Sequence, residues 1–301
     1  MSTTTIAFTR TAAEHATARA MSRRRRLIDH TVRLFCIGAT LVGLFFLASI
    51  LFTLLVKGLP RLDLLTFTRE FQPTTYGDPD APAGGLLHAI LGTLVQSGMG
   101  ILIGTPIGIL VGTYLSEYAR GSALGNAVRF VSDVLLSAPS VLVGLFVYQL
   151  LVLPAGGFSA IAGSVALAIL VIPVVVRTTE DMLQLLPNTL REAVIGLGAP
   201  KWKMITLIAY RAALSGIVTG VLLAFARIAG ETAPLLLTSF GNNIVSWNLG
   251  NAMGSLPIAI YQQANSGFPD LIALAWTGAL IVTLGVLAIN ISARLFLARR
   301  K

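Results

Sequence analysis

Residues 134–176 read VLLSAPSVLVGLFVYQLLVLPAGGFSAIAGSVALAILVIPVVV, 43 residues without Asp, Glu, Lys or Arg. A helix needs about 20 apolar residues to cross the hydrocarbon core of a bilayer, so this run is too long for one crossing and suffices for two. The break Pro154-Ala155-Gly156-Gly157 divides it, which predicts a helical hairpin with a very short turn. The fold class that follows is an all-α polytopic membrane protein.

Outward from the hairpin, the same criterion finds Leu34 to Val56, Leu86 to about Tyr114, Ala212 to Leu235 and Leu271 to about Ile291, six spans in all. The fifth is interrupted by Arg227 and Glu231. Composition agrees: 55 % of the 301 residues are hydrophobic, 12 % are charged and the mean hydropathy is +0.80, where soluble domains average roughly 25 % charged residues. The net charge of +9 has a topological origin. With the N-terminus inside, eighteen basic residues fall in the tail, the two inner loops and the C-terminus, against Lys57, Arg61 and Arg69 outside. Both termini are therefore expected in the cytoplasm. No basic stretch is interleaved with stacking aromatics, which argues against nucleic acid. Residues 1–22 read as a disordered tail. The apolar run after Arg26 is longer than a signal peptide's core and lacks a small-x-small cleavage site, so an uncleaved anchor is expected. Cys36 has no partner thiol and reads as a small buried hydrophobe.

The loop between the fourth and fifth spans, RTTEDMLQLLPNTLREAVIGLGAPKWK (177–203), contains two start-and-stop units. Thr178 and Asp181 have N-cap spacing ahead of Pro187. Thr189 and Glu192 form a capping box, and Gly196 and Gly198 can end the second helix. Leu190, Ala193, Val194 and Leu197 fall at i, i+3, i+4 and i+7, one narrow apolar stripe. So short a helix is not stable alone in water. It must dock, either on lipid or in a protein groove, and its small residues favour the groove over an interfacial helix with large apolar and basic faces.

These residues resemble the EAA loop of ATP-binding-cassette importer permeases: Glu192-Ala193-Val194, Gly198 six positions after the Glu, and Ile208. Val194, Tyr210 and Arg211 depart from its usual Ala, Leu and Pro. The stretches TPIGILVGTYLSEY (105–118), IPVVVRTTE (172–180) and ARIAGETAPLLL (226–237) are similar to the PstA family of phosphate-transport permeases. The resemblance implies a type I importer permease fold, with a first anchor at 23–57 and a core at 86–294 that includes the coupling loop 177–211. It implies that Leu190, Glu192, Ala193, Val194, Leu197 and Gly198 couple to an ATPase. The implied partners are a second homologous permease, two ATPase subunits and an extracytoplasmic phosphate-binding protein, in the membrane lipid of a bacterial inner membrane. ATP and Mg would be used by the partner ATPase and no cofactor by this chain. None of the four lysines follows a glycine, so the chain has no P-loop.

Arg227 and Glu231 fall within about 80° of Gly216, Gly220 and Ala224 on a helical wheel. Ionisable groups at membrane depth usually face a bundle interior. One reading is a self-neutralising i, i+4 pair. The other is a substrate path in which the Arg227 fork takes an anion's oxygens and Glu231 holds the fork at rest. Arg177 is a second candidate contact or an ordinary inner flank. Gly100, Gly104, Gly108 and Gly112 form a smooth ridge for close helix packing or sliding. Asp133 reads as solvated or paired with Arg129, and Trp247 as an interfacial anchor. No catalytic nucleophile motif or metal-ligand spacing is present. The rivals to an ATP-driven phosphate importer are a self-sufficient secondary anion transporter or channel, and an importer of another oxyanion such as sulfate.

Overall fold

The structure is a computed structural model and describes residues 12–72 and 84–298. The chain divides into one unit ending at Leu55 and a second from Val56 onward. Among the described residues the first is a single helix, α1 (Ala12–Gly58), which continues into the second unit. Its apolar surface over 28–55 is almost wholly exposed, as befits a helix in lipid. Cys36 is exposed on it rather than buried, because no part of its own unit covers it. Residues 12–22 of the expected tail are helical: they lengthen an existing helix, which avoids the cost of nucleation. Residues 1–11 lie outside the described residues.

The second unit contains α2 (Leu64–Thr68), α3 (Leu87–Tyr118), α4 (Ala123–Ser137), α5 (Ser140–Ala155), α6 (Ala160–Gln184), α7 (Asn188–Gly196), α8 (Lys201–Ile228), α9 (Ala233–Thr238), α10 (Leu256–Ala264) and α11 (Pro269–Ala298). Among the described residues α1, α3, α6, α8 and α11 are long and apolar enough to span a membrane. The pair α4 and α5, bent by 103°, makes a sixth when the two together are counted as one span. The third span is expected as one crossing between Val134 and the Pro154 break. Ala138 is instead extended (φ −67°, ψ 138°) because the ring of Pro139 excludes the helical region for the residue before it. Gly156, at φ +73°, turns the chain from α5 to α6 where the hairpin was expected. Asp63 caps α2. Its carboxylate accepts from the Thr66 N–H at 2.9 Å and hydroxyl at 2.8 Å, and these bonds hold it below the usual carboxylate pKa.

Helix α3 packs along α6 on its glycine ridge. A Cβ at Gly100, Gly104 or Gly108 would sit 2.9, 2.8 or 2.6 Å from the Cβ of Leu167, Val171 or Val175, and one at Gly112 would sit 2.6 Å from the Val176 carbonyl. The backbones approach as closely as only glycine permits. The small-residue stripe of α8 faces the other side of α6, where Gly216 and Gly220 meet Met182 and Thr178. Val171, Leu167, Ala224, Ile228 and Leu235 fill the centre between these helices.

The expected fifth span does not reach Leu235. Helix α8 stops at Ile228, and Ala229 to Thr232 form a turn before α9. Pro234 disfavours continuation: it has no N–H to donate back to Gly230, and its ring clashes with that carbonyl if the helix continues. Beyond α9, segment 238–251 returns to cap α6, whose Ala160 and Ile161 N–H groups donate to the Asn251 and Leu249 carbonyls at 2.9 and 3.1 Å. Trp247 in this segment is 71 % exposed.

Candidate functional site

The break between α8 and α9 holds the first group of expected site residues. Arg227 lies on the last turn of α8 and Glu231 in the turn beyond it, so the helical-wheel placement of Glu231 fails while the pairing survives. Arg227 Nε is 4.0 Å from Glu231 Oε1, and the two side chains are 39 % and 18 % exposed. The neighbouring Ile228 is buried against α6 and its side chain faces Gly100. Gly100 stands about halfway along α3, so the break lies inside the bundle and well away from both ends of α3. The Gly216–Gly220–Ala224 stripe buries itself against α6, and Arg227 at its end emerges from that contact. A loosely held cation beside an unwound backbone can exchange its carboxylate for an anion.

Arg177, at the far end of α6, is not an isolated cation. Its Nη1 is 3.8 Å from Asp133 Oδ1 and its Nε 3.5 Å from Asp181 Oδ2, with all three side chains about half exposed. Asp133 therefore pairs with Arg177 rather than Arg129. Arg129 is taken by Glu180, with Nε 2.7 Å from Oε1, because that carboxylate is only 4 % exposed. A buried carboxylate needs its partner far more than an exposed one does.

The loop after α6 is organised differently from its expected caps. Residues 177–184 continue α6 without interruption, so Thr178 and Asp181 start no helix; nothing breaks the backbone before Pro187. Helix α7 begins at Asn188 with Pro187 as its cap residue and no side-chain cap, so the Thr189–Glu192 box does not form. Its start is set by the fixed φ of Pro187. Gly198 is left-handed at φ +79°, as a helix end requires. Of the six expected coupling residues, Leu190, Glu192, Ala193, Leu197 and Gly198 are exposed, Leu197 by 88 %. Val194 turns inward onto a cluster that includes Leu183, Leu186 and Met204. The apolar stripe is thus shared between an outward face and an inward one.

The residue that holds α7 in place was not singled out from the sequence. Arg191 is buried, donating from Nε and Nη2 to Glu117 Oε1 at 3.2 and 2.9 Å and from Nη1 and Nη2 to the Leu186 and Leu183 carbonyls at 2.6 and 2.5 Å. Glu117 lies in the π-helical end of α3, Tyr114–Tyr118. The nearest signal was Glu117 itself, the first acidic residue after the uncharged second span; nothing local linked it to an arginine 74 positions away. Between α4 and α7 lies a cavity of about 590 Å³ lined by Arg120, Arg129, Gln184 and Asn188. Among the described residues no three of His, Cys, Asp or Glu come together as a metal site would need.

Residues 104–301 match the family model described as binding-protein-dependent transport system inner membrane component. The chain is 52 % identical over 263 residues to the phosphate transport system permease protein PstA of Haemophilus influenzae, covering 87 % of this chain and 91 % of that one. It is 49 % identical over 293 residues to PstA of Xylella fastidiosa, covering 97 % and 98 %. The fold is similar to a chain of a bacterial ABC transporter involved in import of the acidic polysaccharide alginate (TM-score 0.64, 17 % identity, 93 % of this chain and 99 % of that one). It is also similar to a chain of the inward-facing MetNI methionine ABC transporter (TM-score 0.59, 20 % identity, 71 % and 95 %).

Proposed function

This chain belongs to the binding-protein-dependent transport inner membrane components and, within them, to the PstA phosphate-transport permeases; from that premise we propose how its two sites divide the work of phosphate import. It is a multi-pass protein of the bacterial inner membrane with the type I importer permease fold. The observation that carries the reading is the ion pair Arg227–Glu231 at a helix break inside the bundle, in a chain about half identical to phosphate permeases along nearly its whole length.

In this reading Arg227 is the anion contact. A phosphate oxygen pair matches the guanidinium fork, and Glu231, at the limit of ion-pair distance, holds the fork between passages. Arg177 is a second contact near the inner mouth, with Asp133 and Asp181 holding it when no anion is present. The chain binds no cofactor, and ATP and Mg are used by a separate ATPase. The exposed side of α7, with Leu190, Glu192, Ala193, Leu197 and Gly198, seats in a groove of that ATPase, while Val194 anchors the helix to its own subunit. Two ATPase copies, a second homologous permease and an extracytoplasmic phosphate-binding protein complete the transporter, and both termini lie in the cytoplasm.

The test is reconstitution. Proteoliposomes with this chain and its copurifying partners should take up phosphate in preference to sulfate when ATP is supplied to the ATPase side. The chain alone with an ion gradient should take up none; sustained uptake there points to a self-sufficient carrier instead.

A further inference from the structure

We propose that Glu117 and Arg191 form the joint through which movement of α7 reaches the membrane-spanning helices α3 and α6. This rests on the reading that α7 docks an ATPase.

The geometry is that of a three-way fastening. One edge of the Arg191 guanidinium grips Glu117 on α3, and its remaining donors take the Leu183 and Leu186 carbonyls at the end of α6. Leu183 lies in the last turn of α6 and Leu186 two residues beyond its end, where carbonyls have few or no i+4 N–H partners. One side chain of α7 thereby satisfies acceptors on both spanning helices. Both members of the pair are buried, at 8 % exposure each. A buried, forked, charge-assisted contact keeps its distance and angle under load, whereas an apolar contact such as that of Val194 can slide. Glu117 also receives the next segment of the chain: Lys201, at the start of α8, donates to its carbonyl and lies 4.3 Å from the centre of the Tyr118 ring. The segment Tyr114–Tyr118 is π-helical, an irregularity often found at functional sites.

What is fastened can transmit. Beyond Glu117, α3 and α6 are locked by the glycine ridge from Gly112 to Gly100, which ends beside Ile228 and the Arg227 turn. A displacement of α7 therefore has a continuous packed route to the anion contact. A second ion pair, Arg129–Glu180, ties α4 to α6 and, through the Leu115 carbonyl, to the same end of α3. Among the described residues it makes no hydrogen bond or ion pair with α7, so it serves as the control for an α3–α6 fastening without the α7 arm.

The experiment uses the complete transporter in proteoliposomes and reads ATPase content, ATP hydrolysis and phosphate accumulated per ATP. Arg191→Lys keeps the charge but cannot span Glu117 and both carbonyls; the double change Arg191→Gln with Glu117→Gln removes both charges together. Both should retain the ATPase and hydrolyse ATP, while phosphate moved per ATP falls about tenfold. Arg129→Lys should leave that ratio within about twofold. A wild-type ratio in Arg191→Lys or in the double change overturns the joint, as does an equal loss in Arg129→Lys. So does loss of the ATPase from Arg191→Lys, which would make Arg191 part of the docking surface. Retention of the ATPase by Ala193→Asp would instead overturn the docking reading beneath it.

Discussion

Arg227 and Glu231 remain within ion-pair reach, 4.0 Å from Nε to Oε1, although the helix that was to carry both ends between them. The pair is thus held across a break, with the geometry set by the turn around Gly230 rather than by a helical repeat.

If Arg227 binds the anion, Arg227→Gln with Glu231→Gln should assemble and hydrolyse ATP yet not take up phosphate, since a neutral amide has no cationic fork. Arg227→Lys should retain partial uptake with poorer discrimination against sulfate. Uptake assays on the single and double variants check this. Wild-type uptake by the double variant leaves the pair as mere charge neutralisation.

The two sides of α7 should respond differently to one charge. Ala193→Asp should release the ATPase from an otherwise folded subunit, because an unpaired charge buried in the proposed contact costs several kcal/mol. Val194→Asp places the same charge among Leu183, Leu186 and Met204 and should lower the stability of the isolated subunit. Copurification and thermal unfolding in detergent separate the two outcomes; equal behaviour would contradict the split of the stripe.

Burial should rank the ion pairs. Arg129→Met leaves Glu180 buried without its partner and should destabilise by about 3–5 kcal/mol. Asp133→Asn, at a pair half exposed on both sides, should change stability by less than about 1 kcal/mol. Denaturant titration of each variant reads both.

The glycine ridge gives a positional test within one helix. Gly108→Ala forces a Cβ to 2.6 Å from Val175 Cβ and should cost about 1–3 kcal/mol through overpacking. At Gly98 no atom lies within 4 Å, so Gly98→Ala should be neutral or slightly stabilising, as alanine restricts the unfolded chain. Matched thermal shifts in the two variants would rule out the close α3–α6 contact.

The sequence by itself determined the first, second, fourth and sixth spanning segments, the hairpin turn at Gly156 and the stop at Gly198. Each depends on composition over a helix length or on the backbone preference of one residue, and both are local. The α8 break was legible too, in Pro234, but the long apolar run around it masked the signal. Tertiary structure alone decided which face of α7 Val194 occupies, that Asp133 pairs with Arg177, and that Glu117 and Glu180 claim Arg191 and Arg129 across 74 and 51 positions. The physical reason is burial. The two carboxylates lose their water only when α3 and α6 close on the glycine ridge, and only then does each need the particular arginine that the fold brings within reach.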